Sequence, residues 1–134
     1  MFIQKIIAAA CCSIFIVSLI ACNKTPDNDE CLEFKQSPVS VVTGPATGNI
    51  NQDINLAVSF SCFNGCGQFG SFNSTTVADT TTIEVIAKYE GCICTQDLPV
   101  RQTNYTFRKS QPGTYHLKFM QLHNAYIVHT ITVQ

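Results

Sequence analysis

The chain has 134 residues with a formal net charge of −1, and eight of its residues are cysteine. From residue 34 onward, six Lys or Arg residues are balanced by five Asp or Glu residues, and both signs are scattered. Because a nucleic-acid surface needs clustered basic residues, we expect no nucleic-acid partner.

The N-terminal segment has the pattern of a secretory signal. Residues 1–5 carry one positive charge and residues 6–20 are almost wholly apolar, which is the order of regions in a signal peptide. A permanent membrane span needs about 20 apolar residues, so this run is short for one. We therefore expect residues 1–21 to be a cleaved signal peptide.

The end of the apolar run resembles the lipobox of bacterial lipoproteins. It reads Leu19-Ile20-Ala21-Cys22, which is a branched apolar residue, a spacer, a small residue and a cysteine. In lipobox lipoproteins this cysteine receives a diacylglycerol, a peptidase cuts before it, and its new amino terminus is often acylated. The resemblance therefore implies lipidation at Cys22, and two or three acyl chains give stable anchoring. A plain signal peptide or signal anchor is the alternative.

Residues 22–37 are predicted to be the lipidated cysteine and an acidic flexible tether. Four of residues 23–33 are acidic and almost none is suited to burial, a composition for which disorder is the default. An acidic segment after the lipidated cysteine also resembles the surface-export signal of Bacteroidota lipoproteins. The resemblance implies an outer-membrane protein, with surface exposure favoured over a periplasm-facing orientation.

Residues 38–134 are predicted to form one all-β domain. Three segments alternate apolar and polar residues, as does a strand with one buried face, namely 54–62, 82–90 and 115–120. Four further segments carry less regular strand signals, namely 39–43, 68–73, 105–107 and 126–133. Seven short strands in about 100 residues, separated by Gly, Pro and Asn turns, predict an immunoglobulin-like antiparallel β-sandwich.

The last predicted hairpin resembles the final hairpin of Ig-like domains in bacterial surface lipoproteins. Its first strand follows the turn Pro112-Gly113 and contains Tyr115, and its second strand covers residues 127–133. Asn64-Gly65-Cys66-Gly67 and Gly91-Cys92-Ile93-Cys94 extend the likeness to small lipoproteins of Bacteroidota. The chain lacks the Trp on which the disulfide of antibody domains packs. The resemblance implies a fold and a location, and it implies no activity.

Five cysteines follow the lipobox, and an odd number leaves at least one thiol without a partner in the chain. Cys31 is the expected odd one, because it lies in the predicted tether. An exported protein favours disulfides, and the candidates for two of them are Cys62, Cys66, Cys92 and Cys94. We expect bonds from 62/66 to 92/94, with both of the possible pairings open.

The same four cysteines allow a second function, a thiolate site for Zn²⁺ or Cu⁺. Their Cys-x3-Cys and Cys-x-Cys spacings differ from the two-residue spacing of zinc knuckles, which favours disulfides. A redox pair is a third reading, although the chain has no Cys-x-x-Cys motif and no helix start to lower a thiol pKa.

Two surface features bear on the partner. Asp79-Thr80-Thr81 matches the O-glycosylation motif of Bacteroidota, which makes Thr80 a candidate glycan site in an exposed loop.

Phe63, Phe69 and Phe72 flank the Gly-rich loop around Cys66. Exposed, they would form a stacking platform for a sugar or a protein, but we expect them to fold back onto the core.

No sequence motif favours catalysis. The chain has no G-x-S-x-G motif. Glu84 and Glu90 share a solvent-facing parity but are too far apart for a two-carboxylate site. We therefore expect a non-catalytic protein without a cofactor, anchored to the membrane through the lipid on Cys22. Its expected function is adhesion or accessory binding of a protein or glycan.

Overall fold

The computed structural model describes residues 31–134, which form two β-sheets packed as a sandwich. The nine strands are β1 (Leu32–Ser37), β2 (Val39–Thr43), β3 (Thr47–Gly48), β4 (Ile54–Ser61), β5 (Gly67–Val77), β6 (Thr80–Glu90), β7 (Val100–Phe107), β8 (Gly113–Met120) and β9 (Tyr126–Val133). The predicted signal peptide, Cys22 and residues 23–30 lie outside the described residues.

The larger sheet is organised around strand β6. Its strand order is β1-β6-β8-β9-β3, and β5 also pairs with β6. Antiparallel pairing with β5 covers one side of β6 almost completely. The other side is shared, because residues 80–83 pair in parallel with β8 and residues 85–90 pair antiparallel with β1. Two different strands thus complete one side of β6.

The smaller sheet contains three antiparallel strands in the order β2-β4-β7. The chain passes from the larger sheet to the smaller one at Pro38, which lies between β1 and β2. The carbonyl oxygen of Pro38 accepts the backbone N–H of Ser61 at 3.0 Å. One extended segment therefore contributes an edge strand to each sheet.

The core lies between the two sheets and is built from alternate residues of their central strands. On β4, Ile54, Leu56, Val58 and Phe60 are at most 3% exposed. The facing side chains of the larger sheet are equally buried, namely Ile83, Val85, Ala87, Leu117, Phe119 and Ile131. Full burial of each large side chain stabilises the fold by about 1.5–3 kcal/mol.

The predicted all-β sandwich is confirmed, but it has nine strands where seven were expected. The two additional strands are β1, whose apolar residues are exposed, and β3, which has only two residues. Two of the strand pairs are parallel, β3 with β9 and β6 with β8, which a purely antiparallel sandwich would not contain. Within residues 31–134 we find no helix of sufficient length and hydrophobicity to cross a membrane.

Strand β1 lies where the flexible tether was predicted. The larger sheet begins at Leu32, whereas the domain was expected to begin at residue 38. Most of the sequence LEFKQS of β1 is exposed, including the apolar side chains of Leu32 and Phe34, so its apolar residues do not mark a buried face. Its strand conformation comes from pairing with β6, which is about 55 residues away in the chain.

Candidate functional site

Two loops and the start of β1 meet at one end of the sandwich. We call this end the cysteine pole and define it as Cys31, residues 62–66 and residues 91–99. Backbone hydrogen bonds join the three segments: Gly65 N to Thr95 O at 3.0 Å, Cys62 N to Pro99 O at 2.9 Å, and Gly91 N to Cys31 O at 3.0 Å. The segments meet because β4 and β6 end at this pole, while β1, β5 and β7 begin there.

Two disulfides link the segments of the cysteine pole. Cys31 is bonded to Cys92 with a Cα–Cα distance of 4.9 Å, and Cys66 is bonded to Cys94 with a Cα–Cα distance of 5.4 Å. Both distances lie in the usual range for disulfides. The expectation of two disulfides is therefore confirmed.

The pairing differs from the prediction at two cysteines. Cys31 is not the odd cysteine, because β1 brings it to the end of β6 and beside Cys92. Among the cysteines of residues 31–134, Cys62 is the free one and is buried, so neither of the bonds considered for it forms. Of the bonds that were expected, one is present, and it joins Cys66 to Cys94. It belongs to one of the two pairings left open.

The burial of Cys62 follows from the alternation of β4. Its position continues the inward series of even-numbered residues, and its side chain is only 1% exposed. Burial raises the pKa of the Cys62 thiol above its ordinary value of 9.0, while the charge of Arg101 and a hydrogen bond with Tyr89 lower it in part. The parity of Cys62 was visible in the sequence and is the signal that could have identified it as a core residue.

The structure does not bring four thiols together. Three of the four candidate cysteines are oxidised in disulfides, and disulfide sulfur is not the thiolate that Zn²⁺ or Cu⁺ binds. Throughout residues 31–134, no three His, Cys, Asp or Glu side chains are grouped so that they could hold a metal ion. The four-thiolate alternative therefore has no geometric support.

Arg101 holds the loop between β4 and β5 against β7. The residue pairs with Phe60 across the smaller sheet and so shares its inward parity. Its Nε donates to the carbonyl oxygen of Gly67 at 3.1 Å and its Nη2 donates to that of Gly65 at 3.3 Å. This role was not predicted from the sequence, although Arg101 is the charged residue on the inward parity of β7.

Tyr89 performs a similar function from strand β6. Its hydroxyl oxygen accepts the backbone N–H of Phe63 at 3.0 Å, and the two aromatic rings stack with centroids 6.4 Å apart. Gly67 completes this packing, because a Cβ atom there would lie 2.7 Å from Cys62 Sγ and 2.8 Å from Tyr89 Cε1. Only glycine fits this position without movement of its neighbours.

An open cleft of about 440 Å³ lies beside the Cys31–Cys92 disulfide. Its lining includes Leu32, Glu33, Asn64 and Tyr89, together with three disulfide-bonded cysteines. The oxidised cysteines supply no nucleophile, and the Tyr89 hydroxyl already accepts the Phe63 amide. Glu33 supplies the carboxylate of this lining, and it forms an ion pair with Lys35.

The three phenylalanines around the Gly-rich loop behave differently from one another. Phe72 packs against the core, with its ring centroid 4.8 Å from that of Phe69 and 5.0 Å from that of Tyr105. Phe69 is 36% exposed and Phe63 is 45% exposed. The prediction that all three fold back is thus correct for Phe72, whereas Phe63 remains on the surface of the cysteine pole.

Thr80 does not lie in the exposed loop where it was expected. It is the first residue of β6, is half-buried, and pairs with Val77 of β5 and His116 of β8. The turn before it contains only residues 78–79. Glycosylation of Thr80 stays a prediction, on a strand residue rather than a loop residue.

The outer edge of β5 is a second candidate surface. Within the described chain, β5 pairs only with β6. Its sequence GQFGSFNSTTV contains no charged residue and no proline, and most of its residues are exposed. A β-bulge interrupts the pairing between Phe69 and Ser71, after which residues 72–77 pair regularly with β6. An unpaired edge of this kind presents free backbone N–H and C=O groups.

Comparison with known proteins gives one match. A family model described as the ORF11 beta-sandwich domain matches residues 56–133, which extend from β4 to the end of β9. No curated protein and no solved structure matches the chain. The matched region contains the core strands of both sheets and both loops of the cysteine pole. Cys31, the third part of the pole, precedes the matched region. The chain belongs to the ORF11 β-sandwich domain family.

Proposed function

We propose that the protein is a lipid-anchored lipoprotein of the outer membrane that acts as a non-catalytic interaction module. The lipid is attached to Cys22, after removal of residues 1–21. The β-sandwich presents the free edge of β5 to an extended segment of a partner protein. Display on the cell surface, rather than toward the periplasm, is part of the proposal.

The distribution of cysteines carries this proposal. Cys22 follows an apolar run in the lipobox-like sequence Leu19-Ile20-Ala21-Cys22. Four of the five cysteines after it are bonded in disulfides, and disulfides persist in exported proteins and are rare in the cytosol. An export signal and an oxidising location therefore support each other.

The partner surface follows from the composition of β5. Natural edge strands are protected by charges, prolines, bulges or short length. Strand β5 is long, with eleven residues. The bulge between Phe69 and Ser71 is the one protection of this kind that it carries. Residues 72–77 form a regular edge, and addition of a partner strand to such an edge is a common mode of peptide recognition.

The anchor is tested by the intact mass of the full chain purified from membranes. We expect a mass that lacks residues 1–21 and carries diacylglycerol, with or without a further acyl chain. The Cys22→Ser variant should accumulate with its signal peptide attached. A wild-type protein that starts after residue 22 or carries no lipid would contradict the anchor.

The partner edge is tested by photo-crosslinking in intact cells, with the crosslinking residue introduced at Ser71. We expect a defined protein adduct that disappears when Thr75→Lys places a charge on the β5 edge. His116→Lys is the matched control, because His116 is exposed on β8 and pairs with both Thr80 of β6 and Thr130 of β9. An adduct that survives Thr75→Lys would contradict strand addition at β5.

A further inference from the structure

We propose that the cysteine pole contacts the lipid surface beside the anchor, and that Ile93 enters the membrane interface. The inference rests on the lipid anchor at Cys22 proposed above. It adds an orientation of the domain, with the cysteine pole toward the membrane and the β5 edge free for a partner.

Five of the twelve large apolar side chains that are exposed within residues 31–134 lie at or beside this pole. Ile93 is 95% exposed and Leu98 is 69% exposed, both in the loop between β6 and β7. Nearby large apolar side chains are also in contact with solvent, namely Leu32 at 38%, Phe63 at 45% and Val100 at 61%. A group of exposed apolar side chains at one end of a domain marks a surface for a protein or a membrane.

The two disulfides hold Ile93 away from the core. Its neighbours Cys92 and Cys94 are bonded to Cys31 and Cys66, which belong to different segments of the pole. Because the backbone is fixed on both sides, Ile93 cannot fold back and bury its side chain. The isoleucine is therefore presented in a fixed position at the tip of the pole.

The charge of the pole suits contact with lipid. Among the fourteen residues of 62–66 and 91–99, Asp97 alone is charged. Its carboxylate accepts a hydrogen bond from the Thr95 hydroxyl group. Glu33 and Glu90 flank the pole on β1 and β6, and each forms an ion pair, with Lys35 and Lys88 respectively. Few charged groups would therefore lose water if the loop tips entered the interface.

The short distance along the chain between Cys22 and Cys31 selects lipid as the occupant. The described chain begins at Cys31, which the disulfide fixes to the pole. Cys22 precedes it by nine residues, which span at most about 32 Å when extended. The longest strands have 11 residues, or about 36 Å. A lipid on Cys22 thus keeps this pole close to the membrane, and the tether is too short to turn the opposite pole onto it.

The test uses tryptophan fluorescence of the full lipidated chain in vesicles. Because the chain has no Trp, each substitution introduces a single fluorophore. Ile93→Trp probes the cysteine pole, and Val77→Trp is the control at the opposite end of β5, where the side chain is 72% exposed. The vesicles contain phosphatidylethanolamine and phosphatidylglycerol with brominated acyl chains, which quench tryptophan at short range.

We expect emission from the Ile93→Trp variant to shift to shorter wavelength and to be quenched several-fold more than that from Val77→Trp. Vesicle flotation in the same samples reports the anchor separately. Flotation with equal, weak quenching of both variants would overturn the inference and leave the anchor intact, whereas a protein that does not float would overturn both. Shielding of Ile93→Trp in native membranes but not in pure lipid would identify a protein as the occupant and overturn the lipid contact.

Discussion

The hydroxyl oxygen of Tyr89 accepts the backbone N–H of Phe63 at 3.0 Å. The same oxygen lies 3.4 Å from Ser37 Oγ. One side chain from the central strand of the larger sheet thus joins the loop after β4 to the end of β1. This contact lies directly beneath the cysteine pole, so it couples the conformation of the loop to the packing of the core.

We expect Tyr89→Phe to lower the free energy of unfolding by about 1–2 kcal/mol, because it leaves the partly buried Phe63 N–H without its acceptor. Urea denaturation measures the change. Tyr126→Phe is the control, since its hydroxyl makes no hydrogen bond within residues 31–134 and we expect little effect. Equal losses for both variants would show that the Tyr89 contact contributes nothing specific.

Arg101→Lys tests the support of the loop between β4 and β5. Lysine keeps the charge but lacks the planar group that reaches the carbonyl oxygens of both Gly65 and Gly67. Since hydrogen bonds to charged groups contribute about 1.5–3 kcal/mol each, we expect a loss in that range and faster amide exchange in residues 62–66. Arg108→Lys, an exposed partner of Asp53, should change stability by less than about 1 kcal/mol. Unchanged exchange in the loop would contradict this role of Arg101.

The buried Cys62 thiol predicts a loss of stability at high pH. Its pKa is raised in the folded state, so below pH 9 both states keep the proton and the stabilisation is fully present. Above that pH the unfolded thiol ionises first, and stability falls by up to about 1.4 kcal/mol per pH unit. Wild type should therefore lose more stability than Cys62→Ala between pH 8 and pH 10. Equal losses of stability in wild type and Cys62→Ala would show that ionisation of the Cys62 thiol does not cause the effect.

Thiol counting checks the disulfide pairing without any substitution. Without reductant, we expect no reaction of the folded protein with iodoacetamide at neutral pH, since Cys62 is buried and its pKa is raised. In denaturant, one thiol of the domain should react, and peptide mapping should locate it at Cys62. Reaction at Cys31 instead would restore the pairing expected from sequence.

Removal of each disulfide should destabilise the domain to a similar extent. The bonds close loops of 61 and 28 residues, for which the chain-entropy model gives about 4 and 3.5 kcal/mol. Cys31→Ser with Cys92→Ser should also accelerate amide exchange in β1, whereas Cys66→Ser with Cys94→Ser should leave β1 protected. The two double variants are compared by denaturation and by hydrogen exchange. Equal exchange of β1 in both would show that the first bond does not hold that strand.

The core strands could be predicted because their alternation is local. Residues 54–62, 82–90 and 115–120 alternate apolar and polar side chains, and all three segments are strands whose apolar face is buried. Residues 126–133 are apolar on both faces in the sequence, and their buried face became clear only from packing, which encloses Ile131 and Val133. Strand β1 could not be predicted, because its order depends on a distant partner strand.

The candidate site was predicted only in part, for the same physical reason. The two-disulfide count follows from composition and location, but the pairing depends on which strand ends are neighbours. Cys31 is close to Cys92 only because β1 pairs with β6. The contacts of Arg101 and Tyr89 likewise join residues more than 25 positions apart, and no local pattern reports such contacts.

Strands β1 and β8 share one side of β6, and a disulfide joins the start of β1 to the loop after β6. This arrangement determines how the domain carries a mechanical load. Tension on the chain ahead of Cys31 passes through the disulfide to Cys92, directly after the strand that has neighbours on both sides. From Cys94 a second covalent bond continues the path to Cys66, between β4 and β5. Force from the N-terminus is therefore distributed into both sheets, and the hydrogen bonds of β1 are not peeled apart one by one.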